Sequence, residues 1–427
     1  MTGTIWRNAA FLRVFTASTI SIFGSLVTRT ALPFAAILVL GAGPLEVAAI
    51  RACEIVGGLV VGLVAGAWID RLLRRPVMIA ADLGQAIVLA SIPIAAIGSW
   101  LTMQHLVVVA LLASALSTFH HVASHAYLPT VVKRGELVAA NSALSASGSV
   151  AEVSAFSIGG VLVQVLTAPI AIAVDSISFV VSAVVLGTIR SPEPRPAPRA
   201  EHTSIVAEIV DGLRPIAGSA VLRTIVLAGS GAHLLWGAFG AVYLIFATEE
   251  LGLGPATIGL IAAVGGISSL VGALLGPRAN RRLGVGPCIL FGLIGFTIGN
   301  ALVPLAPAGS IAIAVALLVA QQLIGDVAAT IEEITEVSLL QTMVPNELLG
   351  RVNGTYNFLT HLSLLVGTIG AGLIGEWVGL RQALAFGLLG GVAAVILVWL
   401  SPLRKLREMP LAPAALVVPG IDMPLGE

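Results

Sequence analysis

The sequence predicts an all-α integral membrane protein of twelve transmembrane helices in two six-helix bundles. Three observations carry this. Hydrophobic residues make up 57% of the 427 and charged residues 10%, against roughly 25% charged in soluble globular proteins. Apolar runs of about 20 residues, the length that crosses about 30 Å of hydrocarbon, recur along the whole chain. The basic residues collect in alternate loops. Mean hydropathy is +1.02, and 47 glycines are spread through the apolar runs, where small residues let helix backbones approach.

In order, the predicted spans are 11–40, 47–69, 77–100, 106–126, 137–166 and 170–189, then 221–248, 256–275, 288–305, 311–340, 348–378 and 383–400. The longer ones tilt or project from the bilayer. The first run lacks a small-residue cleavage site and reads as a retained span rather than a signal peptide. Between the two sets lies SPEPRPAPRAEHT, residues 191–203, a proline-rich polar stretch that disfavours regular helix. Residues 204–217 then place Ile205, Ile209 and Leu213 on one stripe, against Glu208, Asp211 and Arg214. That pattern suits a helix lying at a membrane surface. The expected organisation is a first bundle over 1–190, a linker with an amphipathic helix over 191–219, a second bundle over 220–405 and a tail over 406–427.

Charge placement predicts orientation. If the N-terminus is cytoplasmic, all but three of the 22 Lys and Arg residues fall on the cytoplasmic side; the exceptions are Arg29, Arg51 and Arg381. This is the bias expected of cytoplasmic loops, and it places both termini inside a cell membrane. The net charge of zero gives no electrostatic case for nucleic acid. Cys53 and Cys288 form neither a disulfide framework nor a metal set.

The halves repeat. LPTVVKRGELVAAN after the fourth span parallels TMVPNELLGRVN after the tenth, and GAWIDRLLRR after the second parallels GPRANRRLG after the eighth. Equivalent loops at equivalent places indicate parallel repeats. The stretch Gly66-Ala-Trp-Ile-Asp70-Arg71-Leu-Leu-Arg74-Arg75 resembles the loop motif of the major facilitator superfamily, with Leu73 where that family has a second glycine. The second copy, around Asn280, Arg281 and Arg282, carries Asn for Asp. The Asp175–Phe179 stretch and the loop bearing Pro345, Gly350 and Arg351 are similar to a bacterial branch of macrolide-efflux and siderophore-export proteins. The resemblance implies two bundles rocking around a central site. It also implies a conformational latch made by Gly66, Asp70, Arg71, Arg74 and Arg75; the alternative is a basic anchor with one acidic partner.

Ionisable residues inside spans are costly and are functional candidates by default. Arg29 and Glu152 lie near mid-depth of the first and fifth spans, where they either pair or leave Glu152 to exchange protons. The tenth span holds Asp326, Glu332, Glu333 and Glu336. Seven residues put Asp326 and Glu333 on nearly one face, and so many acids must face a cavity or partners. Glu332, Glu333 and Glu336 suit a solvated helix end; Asp326 is deeper. His121 and His125 are one turn apart, without an evident third ligand. Arg51 and Glu54 are expected to pair, and Asp82 and Asp175 to cap or link helices. No GxxxxGK[ST] loop occurs, and no triad-like arrangement suggests an enzyme. The expected function is a monomeric, proton-coupled exporter of a small molecule, with protons, substrate and the lipid bilayer as partners and no cofactor. An importer of the same fold, or a non-transporting sensor or scaffold, is the alternative.

A cysteine at Ala197 should escape membrane-impermeant thiol reagents applied outside intact cells and react after permeabilisation. Reaction from outside would reverse the orientation.

Overall fold

The computed structural model describes residues 5–69, 71–190, 193 and 205–409; Asp70, most of the linker and the end of the tail lie outside them. The first half comprises α1 (Ala9–Leu40), α2 (Pro44–Ile69), α3 (Arg74–Ile97), α4 (Met103–Val131), α5 (Leu137–Leu166) and α6 (Ala168–Gly187). The surface helix is α7 (Ile205–Gly218). The second half comprises α8 (Ala220–Ile245), α9 (Pro255–Leu283), α10 (Val285–Ala301), α11 (Ile311–Gln321), α12 (Val327–Met343), α13 (Asn346–Trp377) and α14 (Leu380–Leu400). A π-helical turn, Gln322–Asp326, joins α11 and α12 into one span. Among the described residues eleven helical stretches are long and apolar enough to cross a membrane. The 26-residue α2 supplies the twelfth.

Local chemistry sets the ends. Asn8 caps α1 by accepting from the backbone N–H of Ala10 and Phe11 at 3.0 and 3.2 Å. Gly41 closes that helix with φ 64°, a left-handed conformation that glycine adopts without penalty. Ser219 and Ser310 cap α8 and α11 through their hydroxyls, satisfying donors the helix leaves over.

Two spans outrun the sequence reading. Helix α4 continues to Val131, with Pro129 carried in its last turn. Helix α9 continues through Pro277 to Leu283, so the GPRANRRLG segment is helical rather than a loop. The reason is that arginine is a good helix former and the last-turn Arg281 and Arg282 complement the negative end of the helix dipole.

The packing repeats as the sequence does. Helix α1 packs on α5 and α6, α2 on α4, and α3 on α4 and α6. Six spans on, α8 packs on α13 and α14, α9 on α12, and α10 on α12 and α14. The halves meet mainly through α5 on α9 and α2 on α13. These contacts are backbone-close: a Cβ on Gly160 would overlap the Pro255 carbonyl oxygen, and one on Gly372 would overlap the Ala48 Cβ. Both lie toward the end of the molecule away from the arginine-rich loops. One apolar core there takes in both halves, from Phe34 and Ile50 to Phe246 and Ile258. Toward the arginine-rich end it divides, with Phe11, Met78 and Tyr127 in one core and Leu222, Leu290 and Leu339 in the other. Gly148 of α5, Gly276 of α9 and Gly354 of α13 there face open space. The molecule is a cleft, shut at one end and open at the other.

Buried polar groups tie helices within each half. His120 Nδ1 of α4 lies 2.8 Å from Asp82 Oδ1 of α3, and Asp82 is fully buried. On the shut end Arg381, against the trend of basic charge, joins Glu250 at 2.9 Å and donates to the carbonyls of Pro304 and Ala306.

Two outcomes follow from this packing. Gly160→Val should force α5 from α9, at about 1–3 kcal/mol of overpacking, and lower disulfide trapping between Leu45→Cys and Glu376→Cys severalfold when Cys53 and Cys288 are replaced; an unchanged yield would mean that the α5–α9 contact does not hold the end shut. His120→Ala leaves a buried carboxyl unpartnered, at about 1–3 kcal/mol, so its melting temperature should fall below that of the double variant Asp82→Leu, His120→Leu. The reverse order would deny the pair its role.

Candidate transport site

The cleft runs between the bundles, and charges from both face it. Arg29 of α1 is exposed although it sits in the middle of a spanning helix. Its guanidinium carbon stands 5.7 Å from the ring centre of Phe156 on α5, a cation–π distance. Glu152, one turn earlier on α5, is also exposed. No ion pair within 4.0 Å joins Arg29 to Glu152; instead Arg29 lies in the electrostatic reach of Arg51, Glu54 and Glu152 together. Arg51 and Glu54 pair directly on α2, as their spacing predicts. From Arg51 it is 3.8 Å to the place where a Cβ on Gly240 of α8 would sit, so this ion pair abuts the other half.

The second half brings its own acids. Glu333 of α12 is exposed and lies within the electrostatic reach of Glu152. Exposed carboxylates of opposite bundles thus lie within electrostatic reach of each other. Asp326 sits at the end of the π turn, directly against Gly265 of α9, where a Cβ would overlap its carboxyl group. Only glycine leaves room for the acid there, and such turns are frequent at functional sites. Seven residues separate Asp326 from Glu333, about 10 Å along the helix.

Glu332 and Glu336 do not form a solvated helix end: they are 9% and 5% exposed. Glu332 turns against Gly292 of α10, and its Oε1 is buried without a hydrogen-bond partner. Around Gly229 of α8, Glu336 meets Tyr356 of α13; a Cβ there would lie 3.3 Å from Glu336 Oε1 and 2.7 Å from Tyr356 Oη. His233 of α8 and His361 of α13 lie beside this group, with ring centres 6.4 Å apart. Each ties Nδ1 to the carbonyl one turn back at 2.8 Å, which leaves Nε2 as the free nitrogen. Sequence reading missed this cluster because its members come from three spans: the glutamates read as a solvated helix end, and each histidine alone as a packing residue. His121 and His125 stack edge to face at 4.6 Å. Among the described residues no group of three or more His, Cys, Asp or Glu is placed to hold a metal.

The loop motif is placed in part. Gly66 lies within α2, Arg71 in the following turn, and Asp70 outside the described residues. Arg74 and Arg75 open α3, and their backbone N–H groups donate to the two carboxylate oxygens of Glu193 at 2.6 and 3.2 Å. The linker thereby caps α3. Arg75 reaches back to the last carbonyls of α6, on Leu186 and Gly187, at 2.9 and 2.6 Å. These contacts satisfy helix-end groups and bind α3 to α6 and the linker. In the second copy Asn280 donates to Thr335 Oγ1 of α12 at 2.8 Å, again within one half. Pro345 marks the break between α12 and α13, and Gly350 and Arg351 lie in the first turns of α13. There α7 crosses: a Cβ on Gly212 would lie 2.5 Å from the Arg351 carbonyl oxygen.

Comparison with solved structures places this architecture among transporters. A bacterial homologue of the iron transporter ferroportin, inward-facing, superimposes with a TM-score of 0.75 at 18% identity, covering 91% of this chain and 98% of its own. The nucleoside transporter NupG gives 0.73 at 14% identity, with 91% and 97% covered. The outward-facing structure described as a bacterial ferroportin homologue gives only 0.59, at 19% identity, with 91% and 98% covered. Comparison by sequence with curated proteins finds no match. Residues 4–425 match the family described as transmembrane secretion effectors. With that match over nearly its whole length, the chain belongs to the transmembrane secretion effector family and is a multi-pass membrane transporter of the major facilitator fold.

Proposed function

We propose that the protein is a proton-coupled exporter of a small molecule, working by alternating access as a monomer in the cytoplasmic membrane with both termini inside. The observation that carries this reading is that Glu152 and Glu333, exposed carboxylates of opposite bundles, lie within electrostatic reach of each other. Rocking of the bundles changes which side of the membrane these acids meet. An acid that meets water from each side in turn can carry a proton one way as substrate leaves the other.

The shut end and the divided core support a resting state open to the arginine-rich side, which the basic-residue bias assigns to the cytoplasm. The better match to the inward-facing relative than to the outward-facing one agrees with it. Export is favoured by the family's description as secretion effectors. Arg29 and the Arg51–Glu54 pair hold the base of the cleft polar, and Phe156 offers an aromatic face. Such a site suits a substrate with both charged and apolar parts. In this reading the 66–75 segment, with Asp70, is a latch at the arginine-rich end that holds the halves together when that end closes and the other opens, and releases them when that end opens.

Coupling is tested by replacing each acid with its amide. Glu152→Gln and Glu333→Gln, with Asp326→Asn beside them, should be compared in proton-driven transport and in substrate counterflow, which moves no net protons. The coupling acid loses the first activity at least about tenfold and keeps much of the second. Full proton-driven transport by all three variants would remove these acids from the mechanism.

A further inference from the structure

Glu332 and Glu336 lie one turn apart on α12, buried in the second half, and share a side-chain hydrogen bond. An ionised carboxylate can only accept. A hydrogen must therefore sit on one of the two, since like charges in such contact cannot both stand. The Tyr356 hydroxyl of α13 donates to Glu336 and occupies an acceptor there. Glu332 Oε1 is buried without a hydrogen-bond partner, so the pair keeps an unused acceptor.

No fixed positive charge balances the pair. Among the described residues neither carboxyl forms an ion pair with Lys, Arg or His, the arginines that end α9 included. Helix α10, which meets Glu332 at Gly292, carries no Asp, Glu, Lys, Arg or His. The titratable neighbours are Glu333 on α12, Tyr356 on α13 and His233 on α8. His233 lies in electrostatic reach of Glu336, and its ring centre is 6.4 Å from that of His361 on α13. Both rings tie up Nδ1 and leave Nε2 free. His361 is partly exposed, so the two imidazoles connect the buried pair with a position that water reaches.

From these observations we infer that the Glu332–Glu336 pair is the proton-binding site of the second bundle, with Tyr356 as its positioning residue and His361 and His233 as its exchange route. The proton shared between the two carboxyls sets the pair at one negative charge. A second proton, arriving through the imidazoles, bonds to the unused Glu332 Oε1 and takes the pair to neutral; it leaves by the same route. The inference rests on the reading above in taking the proton as the driving ion; the site itself is tested by spectroscopy.

Infrared spectra of the whole protein in lipid nanodiscs distinguish a protonated carboxyl from a carboxylate by its C=O stretch. In Glu332→Gln the amide supplies the hydrogen that Glu336 needs, so Glu336 ionises. At neutral pH the parent should therefore show a protonated carboxyl that this variant lacks. Tyr356→Phe keeps both acids and should move that band without removing it. A parent and a Glu332→Gln protein with the same carboxyl bands would overturn the proposal. Should Glu332→Gln fail to reach the membrane, Tyr356→Phe decides, and an unmoved band there overturns it. In inverted vesicles Glu332→Gln should lower proton-driven uptake at least about tenfold; loss of the band with full proton-driven uptake overturns the pair as the driving site. A parent that transports without regard to a proton gradient refutes the reading above, and the spectrum still decides whether the pair holds its proton.

Discussion

At Gly160 and Gly259 two helix backbones come within van der Waals contact, and Gly372 does the same against Ala48. These contacts hold one bundle to the other. A membrane offers no hydrophobic drive for helices to associate, since lipid tails are as apolar as leucine. Close packing of backbones therefore carries the association, and only glycine allows it at these distances. Because the contacts lie toward one end, the apolar core is shared there and divided at the other, and the cleft is the consequence. An interface of small residues, without large interlocking side chains, is also one that can part.

The charges at the base of the cleft depend on that geometry. Arg29, Glu152 and Glu333 are exposed within spanning helices, and charges there are tolerable only where they face a cavity or partners rather than lipid. They do not collapse into a single static ion pair. Arg29 rests on Phe156 among several charges, whereas Arg51 and Glu54 satisfy each other one turn apart. The second half buries Glu332 and Glu336 near Tyr356 and His233, so the bundles that repeat in topology differ in electrostatics.

Helix ends explain the arginine-rich segment. Arg75 occupies the last carbonyls of α6, while the first donors of α3 take Glu193 from the linker. The segment connecting the halves is thus pinned to the first of them at the site where the repeat motif lies. In the second copy Asn280, which stands where the first has Asp70, donates to a hydroxyl on α12.

The sequence by itself determined the number of spans, their order, the repeat and the side bearing the basic loops. Apolar length and charge placement are local properties, and the bilayer acts on each span separately. It also determined that Arg51 would meet Glu54, since one helical turn brings them together. Tertiary structure alone decided the rest. Whether Arg29 pairs with Glu152, whether Glu336 is solvated and whether Asp175 is buried against α1 depend on how each helix is rotated about its axis. A glycine-rich span with a small periodic signal leaves that rotation undetermined. It is set by which glycine faces meet, and that is a property of two helices at once.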